Sequence, residues 1–198
     1  MSDPEQGEIK VCKVVLLGET GVGKTCIIDR YVKKVFNVNV ESTTGAAFVS
    51  KITLLENGHK VRLDIWDTAG QEQYRSLNQF FYRDAAVAIL VYDITRAETF
   101  NAIKEYWYNE VKDKVGDKII VGIAGNKCDL FAEENVSEGD VKTYATDINA
   151  AFRLTSASEN IGIDELFFDI VNKFDDSSYE FGKEKQTKKE DPKKQSVK

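Results

Sequence analysis

Along this chain the spacing of apolar and polar residues changes repeatedly, and each change marks an element. Val11–Leu17, Ala86–Tyr92 and Ile119–Ala124 are short, β-branched-rich apolar runs with no polar alternation. Strands covered on both faces read this way. Apolar residues at helical spacing follow each run, over Lys24–Lys34, over roughly Ala97–Lys114, and, after a loop, over Val141–Asp147. A last helix is predicted over Ile163–Phe174, with Leu166, Phe167, Ile170, Val171 and Phe174 on its apolar face. Thr95-Arg96-Ala97-Glu98 and Ser137-Glu138-Gly139-Asp140 have capping-box spacing and predict two helix starts. Two strand-like runs, Ala47–Leu55 and Lys60–Trp66, flank Asn57-Gly58 and predict a hairpin. The sum is an α/β fold with a mostly parallel sheet and one antiparallel edge strand.

Composition narrows the class. The 198 residues are 42% hydrophobic and 30% charged, enough for one domain with a core that needs neither disulfides nor metals. The net charge of −6 argues against a general nucleic-acid binder. From Lys183 to Lys198 there are seven lysines and three acids. The expected organisation is a flexible extension over 1–9, a folded domain over 10–178 and a disordered Lys-rich tail over 179–198. Cys12, Cys26 and Cys128 are scattered, without metal-ligand spacing, and read as reduced thiols of a cytoplasmic protein. The acidic start lacks signal-peptide character, and the apolar stretch Ala85–Tyr92 is too short to span a bilayer.

The chemistry begins where the first strand ends. Gly18-Glu19-Thr20-Gly21-Val22-Gly23-Lys24-Thr25 fits G-x-x-x-x-G-K-[ST]. Glycines let the backbone wrap a phosphate closely, so that successive amides of Glu19 to Cys26 point at its oxygens. The following helix adds its positive N-terminus, Lys24 a mobile charge for the β- and γ-phosphates, and Thr25 a hydroxyl for Mg²⁺. A plain glycine-rich turn is the alternative, but the strand before and helix after the loop are where the motif requires them. Such a loop specifies a nucleoside triphosphate without naming the base.

Asn126-Lys127-Cys128-Asp129 closes the strand that starts at Ile119. A carboxylate at Asp129 can accept from the ring N–H and exocyclic amine of guanine, a pair of donors that adenine does not present. Mismatching such an acceptor costs on the order of 10³-fold in selectivity. Lys127 would lay its methylene stem along the base, and Asn126 would brace the phosphate loop.

With these segments the chain resembles the small GTPases, and among them the Rab family, over roughly Lys10 to Asp176. The resemblance implies a G domain of the phosphate-loop NTPase kind, with a six-stranded sheet and helices on both faces. Asp67-Thr68-Ala69-Gly70-Gln71-Glu72 looks like the second switch. By that likeness Asp67 holds Mg²⁺ through water, the Gly70 amide senses the γ-phosphate, and Gln71 orients the hydrolytic water. Ser42-Thr43-Thr44-Gly45 resembles the first switch, with Thr43 closing onto Mg²⁺ and the γ-phosphate. Phe36 stands where the family packs an aromatic edge on guanine. Thr155-Ser156-Ala157 resembles the last base-contacting loop, with Ser156 and the Ala157 amide at the base. Thr44-Gly45-Ala46-Ala47-Phe48, Arg62–Trp66, Tyr74–Leu77, Phe81–Ala85 and Leu90–Thr95 all resemble Rab segments, the first of them the early-endosomal branch.

The implied function is a monomeric switch that binds GTP and GDP with Mg²⁺ and hydrolyses GTP slowly, with Lys24, Thr43 and Gln71 as the catalytic groups. Its partners would be an exchange factor, a GTPase-activating protein and effectors, with no nucleic acid. It would act in the cytoplasm, and on the cytosolic face of endosomal or vesicular membranes if the native chain is lipidated. Phe48, Trp66 and Phe81 are read as an apolar surface for effectors, ordinary core positions being the alternative. Departures from the family pattern are Thr20, Thr44, Ser158 in place of a lysine, and the lack of cysteine after Cys128, where Rabs carry prenylated cysteines. The tail is then a solvated tether, or an aid to anchoring on anionic lipid. A GTP-loaded scaffold that scarcely cycles is the competing class. A phosphate-loop kinase is a third, opposed by Asn126–Asp129. The single histidine, His59, is expected to be exposed and without a catalytic part.

Overall fold

A computed structural model describes residues 9–39, 43, 46–55, 58–69 and 81–176. Most of the expected N-terminal extension, the whole Lys-rich tail, Thr44-Gly45 and the segment from Gly70 through Tyr74–Leu77 lie outside the described residues. The elements run β1 (Lys10–Leu17), α1 (Lys24–Lys33), β2 (Ala46–Leu54), β3 (Lys60–Thr68), β4 (Val87–Asp93), α2 (Ala97–Ala102), a π-helical turn (Ile103–Trp107) and α3 (Tyr108–Val115). They continue through β5 (Ile120–Asn126), a 3₁₀ turn (Cys128–Glu133), α4 (Glu138–Asp147), β6 (Ala151–Leu154) and α5 (Ile163–Asp176). Among the described residues these strands form one six-stranded sheet in the order β2-β3-β1-β4-β5-β6. Of these six strands only β2 and β3 pair antiparallel among the described residues, as the Asn57-Gly58 signal predicts, and they place the hairpin at one edge.

Period-two alternation sorts each central strand between two cores. Val87, Ile89 and Val91 of β4 enter the layer under α1 and α5 with Ile27, Tyr31, Leu166 and Phe167. Ala88, Leu90 and Tyr92 enter the layer under α2, α3 and α4 with Phe100, Trp107, Val111 and Val141. Every residue of β4 is buried, so its run shows no polar alternation. The parallel strands all point the same way, and their C-terminal ends deliver the phosphate loop, Asp93, Asn126–Asp129 and Thr155–Ser158 to one rim of the sheet. Ligand sites of open α/β sheets form at such a rim.

Three local expectations need correction. The helix expected over Ala97–Lys114 is interrupted by the π turn, which seats Trp107, fully buried, under the phosphate loop. Thr95 does not cap α2: Arg96 takes that position, and the Thr95 amide and hydroxyl both donate to Asp93 Oδ1. A local carboxylate outcompetes the helix terminus for that side chain. The helix expected from Val141 starts at Glu138, one turn earlier, and there the second cap does form, with the Asp140 amide donating to Ser137 Oγ at 3.4 Å.

Candidate functional site

Strain and close approach explain the glycines of the phosphate loop. Gly18 has φ 146° and lies against the Val91 carbonyl, so a Cβ there would overlap backbone. Gly23 has φ 95° and faces the Asn126 amide, which a Cβ would displace. The loop thereby packs tightly against the C-terminal ends of β4 and β5, and α1 leaves it with its N-terminus toward the cleft. Lys24 is almost fully buried, and its ammonium donates to the carbonyls of Gly18 and Glu19 at 2.8 and 2.9 Å. Burial lowers its pKa to about 8, against the opposing pull of Asp67 and Glu19.

A cavity of about 470 Å³ opens above this loop. Thr20, Gly21, Gly23, Lys24, Thr25, Cys26, Phe36, Thr43, Asn126, Lys127, Asp129 and Ala157 all line it. The remaining described candidates stand directly behind that wall. The Glu19 carboxylate accepts from Trp107 Nε1 at 3.0 Å. The Val22 carbonyl accepts from Asn126 Nδ2 at 2.7 Å, a tether spanning 104 residues of sequence. Ser156 Oγ donates to Asp129 Oδ1 at 2.6 Å and fixes that carboxylate on one side. Gly70 and Gln71 lie outside the described residues.

A chemically different corner forms where α1, Thr43 and the end of β3 meet. Thr25 Oγ1 donates to Asp67 Oδ2 at 2.6 Å and lies 3.1 Å from Thr43 Oγ1, which is 3.4 Å from the same carboxylate oxygen. Asp67 Oδ1 is buried without a hydrogen-bond partner. Burial raises the Asp67 carboxyl above the ordinary range, while Thr25, Lys24 and Thr43 act to lower it. Three hard oxygens, Thr25 Oγ1, Thr43 Oγ1 and Asp67 Oδ2, cluster on a carboxylate whose second oxygen, Oδ1, is unsatisfied, a set that suits a divalent cation of the Mg²⁺ type.

The sequence model of the Ras family matches residues 13–176. Ras-related protein Rab-22A of Homo sapiens is 48% identical over 164 residues, covering 82% of this chain and 81% of the relative. Rab-31 of Rattus norvegicus is 45% identical over 161 residues, covering 81% and 80%. Rab-21 of Geodia cydonium is 45% identical over the same length, covering 81% and 69%. The chain belongs to the Ras family, in its Rab branch. Ras-family membership implies guanine-nucleotide binding, and the Rab proteins are GTP hydrolases.

Beyond the cleft of this Rab protein, Phe48, Trp66 and Phe81 come together. Ring centroids lie 5.1 Å apart for Phe48–Trp66 and 5.6 Å for Trp66–Phe81, and Phe48 is 54% exposed. His59 is exposed at the hairpin, well away from the cleft. Sequence reasoning missed two residues that organise the Rab cleft. Arg30 of α1 donates from Nε and Nη2 to the carbonyls of Ala157 and Ser158 at 2.7 and 2.9 Å, and its guanidinium lies 5.8 Å from the Phe36 ring centre. The other is Asp93, whose carboxylate pairs with Lys127 Nζ at 2.6 Å. Both contacts join segments far apart in sequence, so spacing carries no sign of them. Ser158, the departure from the family's lysine, has its hydroxyl 3.0 Å from Ser156 Oγ and so joins the network that holds Asp129.

Proposed function

We propose that this chain is a GTP-hydrolysing switch of endosomal membrane traffic whose GTP-bound form recruits effectors. The single observation that carries this reading is the convergence of the phosphate loop, Asp129 and the Thr25–Thr43–Asp67 corner on one cleft. In it the loop amides and Lys24 bind the phosphates, and the free edge of Asp129 reads guanine beside Phe36 and the Ala157 amide. Thr25, Thr43 and Asp67 would hold Mg²⁺, which when bound neutralises phosphate charge. Thr43 and Gly70 hold the two switches in the GTP form, and Gln71 orients the attacking water. Phe48, exposed, with the half-buried Trp66 and Phe81, forms the apolar anchor for effectors. An exchange factor and a GTPase-activating protein complete the cycle, and the protein works as a monomer at the cytosolic face of its membrane. The Rab relatives favour this cycling switch over a permanently loaded scaffold.

Single-turnover hydrolysis of GTP, with ATP as competitor, tests the reading. Hydrolysis that ATP fails to suppress, accelerated on the order of 10³–10⁵-fold by an activating protein, is expected. Suppression by ATP would return the phosphate-loop kinase to consideration. Gln71→Leu should retain GDP while losing most of the stimulated rate. A stimulated rate equal to wild type would remove Gln71 from its role.

A further inference from the structure

Asp93 is the last residue of β4, and its buried carboxylate is saturated by four donors. Oδ1 accepts the Thr95 amide at 3.0 Å and the Thr95 hydroxyl at 2.7 Å. Oδ2 accepts Lys127 Nζ at 2.6 Å and Arg96 Nε at 3.2 Å. The Arg96 guanidinium then reaches on, and Nη2 donates to the Thr20 carbonyl of the phosphate loop at 3.0 Å. Gly21, the next residue of that loop, faces the same nitrogen. The chain of contacts runs from the base-reading segment, through one carboxylate, to the outside of the phosphate-reading loop. Lys127 holds its place with φ 65°, in the left-handed region unusual for a side-chain-bearing residue.

Resting on the guanine-nucleotide reading of the cleft, we infer that Asp93 and Arg96 are positioning residues that bind the phosphate and base loops into one unit and slow the release of nucleotide. The physical reason lies in which way the peptide groups face. A loop that turns its N–H groups inward toward phosphates turns carbonyls such as that of Thr20 outward, where they need donors. Arg96 supplies a charged donor there, and its positive charge is also felt at Lys24. Asp93 aims that guanidinium and draws Lys127 toward the same point, so neither loop can open without disturbing the other. Charge-assisted bonds of this kind exceed neutral ones in strength. The Arg96 side chain is 36% exposed, which places the bridge on the rim, where it can yield when nucleotide leaves.

The test is the release rate of a fluorescent GDP analogue from the full chain, together with steady-state GTP turnover. Arg96→Ala is expected to speed release about tenfold, equivalent to about 1.4 kcal/mol. Because product release limits many such cycles, steady-state turnover should rise with it. Arg96→Lys, which keeps the charge but cannot span Asp93 and Thr20 with a planar fork, should fall between wild type and Arg96→Ala. In the double variant Asp93→Asn/Arg96→Ala the effects should be less than additive, because each change breaks the same bridge. A bare packing defect would lower the melting temperature without raising turnover. Release within twofold of wild type for Arg96→Ala, or additive effects in the double variant, would overturn the proposal. A wild-type chain that binds no GDP analogue would overturn it together with the reading of the cleft, whereas normal wild-type binding with unaltered variants removes the bridge alone. Arg96 lies on the surface and its variants should fold, so a failure of Asp93→Asn to fold still leaves the Arg96 series decisive.

Discussion

The two ends of the nucleotide cleft differ in how far the protein satisfies its own polar groups. At the base end, Asn126 is tied to Val22, Asp129 to Ser156, Asp93 to Lys127 and Arg96, and the carbonyls of Ala157 and Ser158 to Arg30. At the other end, Thr25 and Thr43 crowd onto one carboxylate oxygen of Asp67 and leave its twin buried and unpaired. A buried acceptor without a donor costs roughly 1–3 kcal/mol. One half of the cleft is therefore preorganised by the protein, while the other keeps a buried oxygen unpaired at the proposed cation site. This division suits a switch. In the proposed cycle the half that recognises the nucleotide keeps its internal bonds, and the half that senses the γ-phosphate is the one free to change.

The comparison is tested most severely at Asp129. Ser156 occupies Oδ1 and leaves the rest of the carboxylate for guanine. Asp129→Asn should reduce GDP affinity on the order of 10³-fold, because one of its two acceptors becomes a donor facing donors. Competition binding against xanthine and guanine nucleotides measures it. An affinity for GDP within tenfold of wild type would mean that the preorganised half does not read the base through this group.

The incomplete half is probed by removing the cation. With a chelator, GDP release from the wild-type protein should accelerate on the order of 10–100-fold, the scale on which disturbed metal sites lose affinity. Asp67→Asn should release GDP quickly in Mg²⁺ and show little further response to the chelator. Retention of a full chelator response in that variant would place the cation elsewhere.

How much of this could be read from the chain depends on the range of each interaction. The buried runs of β1, β4 and β5 and the loops that follow them are local features, and their residues converge on the cleft. The strand β6 is four residues at the sheet edge, with Arg153 among three apolar residues, too short to stand out by pattern. The π turn leaves the apolar periodicity of Ala97–Val115 almost unchanged while rotating Trp107 to meet Glu19. Thr95 has the right spacing for a cap, but Asp93, two residues earlier, claims it. Arg30 acts across 127 residues of sequence, and α1 by itself shows only a cation on a half-exposed face. What escaped the sequence is thus mostly support behind the cleft, held by partners that only the fold brings near.

Acid should expose how much of the preorganised half depends on Asp93. Burial alone would raise its carboxyl, but the Lys127 ammonium and the Thr95 donors outweigh it and hold it below the usual carboxylate range. Its ionised form is therefore favoured by folding. That contribution is complete above the unfolded value of about 4 and drains away as the pH falls through the lower, folded value. Denaturant unfolding measured from pH 6 down to 3 should show wild-type stability falling toward acid, with a shallower fall in Asp93→Asn. Equal slopes would show that the carboxylate contributes no proton linkage.

The smallest effect should come from the one group that breaks the pattern at the base end. Tyr92 is fully buried, and its hydroxyl, like Asp67 Oδ1, has no hydrogen-bond partner. The surroundings of the two orphans differ. Asp67 holds the Thr25 and Thr43 hydroxyls on its other oxygen, whereas the Tyr92 hydroxyl lies close against Gly125, away from that corner. Burial, reinforced by the negative charges of Glu134 and Glu138, pushes its phenol well above the ordinary range. Removing the oxygen removes an unmet polar group and leaves a void smaller than a methyl group, so Tyr92→Phe should leave stability unchanged or raise it by up to about 1 kcal/mol. Nucleotide affinity should stay at the wild-type level, because the Phe100 contact of the ring is retained. Denaturant midpoints of the two proteins decide the matter. A loss of more than about 1 kcal/mol would mean that the hydroxyl is hydrogen-bonded in solution, and the unsatisfied groups could then no longer be divided into one that awaits a cation and one that merely costs stability.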